Sequence, residues 1–224
     1  MRALLSALLL TSIGCTTLAQ PAVPDPPLFT LDENTWVLFY DLPSRRFRTI
    51  RDAFVRREFE AAAGDLRTSS RFVEAEAART DDALAPPLAE VIERLGLLAD
   101  TIDSSDVTTG DLDAVFARTH WLLSQHYLKL AEAARNDRRH RPTGHYLWAT
   151  AHHMERTVLW SDARLTPKLV RDVERLRTMA DELRTSASPE RVYRDRPIVS
   201  ARNTLAELGA YLDRRVWVGP VEPL

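Results

Sequence analysis

Between positions 44 and 216, apolar side chains recur at three- and four-residue steps, block after block, with polar residues filling the other positions. Such a chain buries its apolar stripes by packing helix on helix, because a strand would throw successive members of a stripe onto opposite faces. Only seven glycines occur in 224 residues, too few turn residues for an architecture of many short strands. The expected class is all-α.

The blocks are punctuated by recognisable starts and stops. Ser44 can cap a first helix running to about Arg79, with Val55, Phe59, Ala62, Leu66 and Val73 on its apolar face. A second begins near Pro87, where proline is tolerated in a first turn, and carries Leu88, Val91, Ile92, Leu95, Leu98 and Ile102. Thr109 can cap a third, with Leu112, Phe116, Leu123, Tyr127, Leu130 and Ala134, which stops near Asn136. A fourth runs from Thr143 to about Trp160 on Leu147, Ala151, Met154 and Val158. Thr166-Pro167 opens a fifth, and a sixth extends from Ile198 through Leu205 and Leu212 to Val216, closed by Gly219-Pro220. The expectation is a single-domain antiparallel bundle of five to six helices over residues 36–218, with residues 219–224 as a tail.

Ahead of the bundle, Met1-Arg2 and the apolar run Ala3 to Ile13 have the charged start and short greasy middle of a secretory signal. Thr17 and Ala19 predict cleavage before Gln20, so residues 1–19 read as a signal peptide. Gly14-Cys15 offers another cut, leaving residues 1–14 as a lipoprotein signal and Cys15 as a lipidated tether, although Ser12 stands where that motif prefers Leu, Val or Ile. Residues 20–35 hold Pro21, Pro24, Pro26 and Pro27 and read as an extended spacer. The expected location is the bacterial periplasm, or the envelope if Cys15 is lipidated. Cys15 is the only cysteine, so the body carries neither a disulfide nor a thiolate metal site. No later run approaches the about 20 apolar residues of a transmembrane helix. A net charge of −2 argues against a nucleic-acid backbone as partner.

Five of the six histidines, His120, His126, His145, His152 and His153, fall on the third and fourth predicted helices with Trp121, Trp148 and Trp160. An antiparallel pair turning near Arg139 puts His126 and His152 at one level. His145, Trp148, His152 and Glu155 follow one line of the fourth helix, while His120 aligns with Phe116, Leu123 and Tyr127 and points inward. His126, His152 and Glu155, assisted by His120, thus have the donors for a transition metal, and two imidazoles the donors for haem b. Neither His-Glu-x-x-His nor Cys-x-x-Cys-His accompanies them, so half-buried packing with carboxylate or carbonyl partners is the simpler expectation. His153 and His140 are expected in solvent, as are most acidic pairs, Glu74/Glu76 among them.

The short apolar run Trp36 to Tyr40 has no strand partner and is expected to lie across the bundle as a cover; Trp36, Phe39 and Tyr40 are the candidate interaction surface. No Gly-x-Ser-x-Gly elbow, phosphate loop or dinucleotide fingerprint occurs. The expected function is an exported, non-catalytic binding or accessory protein without a cofactor, taking an envelope protein or small ligand. The alternative is a metal- or haem-binding bundle built on the histidine hairpin.

Overall fold

A computed structural model describes residues 39–80, 83–164, 166–186, 192 and 195–215. The segment expected to be an export signal, Cys15, the proline-containing stretch 20–35, Trp36, Val216 and residues 219–224 lie outside the described residues. Among those described, seven helices and no strand are found: α1 (Leu42–Val55), α2 (Phe59–Ala77), α3 (Ala85–Thr101), α4 (Thr109–Asn136), α5 (His140–Ser161), α6 (Pro167–Thr185) and α7 (Asp195–Arg215). The class is as expected, but the first predicted helix is two.

The missed break is a Schellman stop without glycine. Arg57 takes a left-handed φ of 61°, and the N–H groups of Arg57 and Glu58 donate back to the carbonyls of Phe54 and Ala53. Glycine is the residue that announces such a cap, so an arginine there leaves no local signal. The break also re-aims the stripe: Val55 is 66% exposed, and α1 instead buries Phe47, Ile50 and Ala53. Arg138 ends α4 in the same way, with a φ of 57°. Other boundaries follow the expected chemistry. Thr108, one residue before the expected cap, forms a reciprocal capping box with Asp111, and the Thr166 hydroxyl accepts from Leu169 N–H at 3.2 Å. Ser44 is no cap; it lies inside α1 and is buried.

α2 and α3 are antiparallel, as are α4 and α5: Arg67 meets Asp100 while Ser70 reaches Ile92 in the first pair, and His120 meets His153 while Tyr127 stacks on Tyr146 in the second. α7 returns along α4, with Arg118 on Asp213 and Trp121 Nε1 donating to the Leu205 carbonyl at 2.8 Å. The Trp121 indole lies so close to α7 that a Cβ on Gly209 would sit 2.4 Å from Cζ2. Two apolar clusters fill the interior. One joins α1, α2, α3 and the first half of α4 through Phe47, Leu66, Leu88, Leu95 and Phe116; the other joins the rest of α4 to α5, α6 and α7 through Leu147, Met154, Leu176 and Leu205. Each large side chain so buried contributes about 1.5–3 kcal/mol.

Candidate functional site

The unusual chemistry lies where α2 meets the α4–α5 hairpin. Ala62, Leu66, Ser69, Val73 and Glu76 follow one face of α2 at four- and three-residue steps, and all are buried. The stripe therefore delivers a carboxylate into the interior. A buried charge is costly unless hydrogen bonds replace its water. Glu76 receives them from His126 Nε2 at 2.9 Å, Tyr127 Oη at 2.9 Å and Arg79 Nη1 at 3.1 Å. Arg79 in turn donates to Tyr146 Oη at 3.1 Å, and Thr80 Oγ1 lies 3.1 Å from His126 Nδ1. Burial alone would raise the Glu76 pKa, but His126, Arg79 and Tyr127 together outweigh it and hold the carboxyl below its ordinary value. Tyr127 is pushed the other way, well above 10.0, by burial and by the Glu76 charge it serves.

Beside this network, His120 and His153 are 0% exposed, and their Nδ1 atoms stand 2.8 Å apart. One ring must carry its hydrogen on Nδ1 while the other offers a lone pair. It follows that one Nε2 bears a hydrogen and the other does not, and both are buried without a hydrogen-bond partner among the described residues. Rings wall the pair in. Phe47 meets His120 edge-on at 5.2 Å, and Tyr127 stacks on His153 at 5.4 Å. Burial, then neighbouring His152 and Arg156, depresses His120; burial, then the other histidines and Arg156, depresses His153. Both fall well below 6.5.

His152 connects this interior to the surface. Its Nε2 is 2.6 Å from Ser44 Oγ on α1, its ring lies 5.3 Å from His153, and Tyr40 meets it edge-on at 5.1 Å. Burial lowers its pKa to about 4. Tyr40 also accepts the Trp148 indole N–H at 2.9 Å. Over the same indole stand two guanidiniums, Arg177 at 5.5 Å and Arg184 at 5.6 Å. Close packing of α6 on α5 makes this possible: a Cβ on Gly144 would come within 2.7 Å of the Ala180 carbonyl. Phe39, next to Tyr40, is 43% exposed.

The sequence-derived candidates are thus parted. His126 turns to Glu76 on α2, His152 to Ser44 on α1, His120 to His153 within the hairpin, and Glu155 to both terminal nitrogens of Arg177 on α6. Among the described residues no three His, Cys, Asp or Glu side chains gather as a metal would require. Two expectations are corrected outright: His153 and Glu76, read as solvated, are fully buried. His153 lies on the hairpin's inner face because α5 turns that side to α4; Glu76 continues the α2 stripe. Reasoning from sequence also missed Tyr127, Arg79 and Tyr146 as polar partners. The one available signal was Glu76 falling in step with Leu66 and Val73. A groove of about 400 Å³ opens elsewhere, at the α5–α6 turn beside α7, lined by Arg164, Leu169, Leu208 and Tyr211, and no histidine lines it.

The chain matches no family model, no curated protein and no solved structure.

Proposed function

We propose that this chain is an exported, non-catalytic binding or accessory module, and that its working surface is the aromatic and arginine patch where Tyr40, next to exposed Phe39, meets α5 beside the arginines of α6. The observation that carries this reading is Trp148, half-buried, bonded to the Tyr40 hydroxyl and overlaid by Arg177 and Arg184. Tryptophan, tyrosine and arginine are the residues that dominate binding at protein interfaces, because each offers broad contact at low entropic cost. Three arginines bear on this patch. Arg177 is balanced by Glu155 and Arg184 by Asp181, but Arg141 is exposed and its charge acts on His145 with that of Arg184. The fitting partner is an acidic segment of an envelope protein. Export rests on the Met1 to Gln20 sequence.

The test replaces Phe39 with a photo-crosslinking amino acid in the full chain and captures partners from the native envelope. A specific adduct is expected, weakened about tenfold or more by Trp148→Ala or Arg184→Glu and weakened by salt. Capture indifferent to both substitutions sinks the patch as the binding surface. Stoichiometric metal or haem in the purified protein would instead favour the alternative, a metal- or haem-binding bundle built on the histidine hairpin.

A further inference from the structure

The interior beneath that patch is where acid would act first. His120, His153 and His152 lie in one row of touching rings, with centroids 5.0 Å and 5.3 Å apart along it. α1 meets the row at two points: Phe47 rests against His120, and Ser44 is bonded to His152. Tyr40, just ahead of α1, lies against both His152 and His153.

The charged groups facing this row give an added proton no partner. On α5, which carries His152 and His153, stands Arg156, which opposes protonation of all three rings. From α6 comes the Arg177 charge, and from α1 that of Arg48, both acting against a charged His152. Asp41, at the start of α1, favours a charged His152, but it is bonded to Arg45 at 2.9 Å. From α2, Glu76 is occupied by His126, Tyr127 and Arg79. From α4, His126 and Tyr127 already serve that carboxylate.

We propose that the His120–His153 pair, with His152 beside it, is an acid-operated latch that holds Tyr40 and α1 on the α4–α5 hairpin and releases them when the row is protonated. Its consequence, loss of partner binding in acid, rests on the patch reading above; the release itself does not. The sign follows from the neutral rings. An opened or unfolded chain titrates near the ordinary imidazole value and the closed row titrates below it, so the open form takes up protons as pH falls below about 6.5. The closed state is at full strength above that value and weakens below it. Glu76, held below the ordinary glutamate range, begins to lose its contribution only in stronger acid. The interval between about pH 7 and pH 5 therefore isolates the histidines.

Hydrogen exchange of the full chain, read by mass spectrometry and corrected for intrinsic rates, tests this without any partner. Between about pH 7.5 and pH 5.5, protection of α1 amides should fall about tenfold for each neutral histidine released, so about a hundredfold for the pair and about a thousandfold with His152, while α3 amides keep theirs. The double variant His120→Leu/His153→Leu should lose most of that pH response. Should it fail to fold, His152→Gln, which keeps a side chain able to bond Ser44, should by itself remove about tenfold of the response. Histidine ring resonances of the wild type provide a reading that needs no substitution: those of His120 and His153 should stay neutral down to the pH at which α1 opens. Unchanged α1 protection, equal loss in α1 and α3, or an undiminished response in the variants would each overturn the latch. Opening without any effect on partner capture would leave the latch standing and sink the patch.

Discussion

The α2–α3 and α4–α5 hairpins share a topology and differ in what they bury. α2 and α3 close on Leu66, Leu88, Val91 and Leu95, with their cross-helix ion pair, Arg67 to Asp100, outside in water. α4 and α5 close on His120, His153, Tyr127 and Tyr146 beside their apolar contacts, and α4 binds the carboxylate that α2 sends inward through His126 and Tyr127. The first seam tolerates imprecision, because apolar burial is non-directional and scales with area. The second is specific, since each polar group placed there must find its own partner or cost about 1–3 kcal/mol. A bundle that combines both gains stability from one seam and sensitivity to solution conditions from the other.

That contrast can be broken by substitution. Glu76→Ala strands buried His126 and the Tyr127 hydroxyl and should cost about 4 kcal/mol by urea denaturation at neutral pH; a loss below about 1 kcal/mol would make the polar seam dispensable. Leu88→Ala, in the apolar seam, should cost about 3 kcal/mol through lost burial and a residual cavity. Unlike Glu76→Ala, it should leave the pH dependence of unfolding unchanged, which a denaturant series across pH checks. Arg67→Ala removes an exposed ion pair of the same hairpin and should shift stability by less than about 1 kcal/mol. A larger shift there would show that the surface, not the interior, governs the α2–α3 seam.

Much of the fold is written locally. Thr166-Pro167 opened its helix as expected and Asn136 closed one, because caps and prolines act over a few residues. The inward aim of His120 was legible from its step with Phe116 and Leu123. What escaped was set by position rather than by type. Arg57 does a glycine's task with no glycine present. Ser44, a plausible cap, is a partner of His152 across 108 positions. Glu155, which shares its helix with His152, is drawn to Arg177 instead.

From sequence alone come the helical class, most of the helix ends and the concentration of histidine and tryptophan on two neighbouring helices, since all three depend on short-range sterics and periodicity. Tertiary structure alone decided which imidazoles meet. A helix's rotation about its axis is settled by the helices packed against it, and a single residue step turns a side chain by about 100°. His152 and His153 are neighbours in the chain, yet one reaches a serine on α1 and the other a histidine on α4.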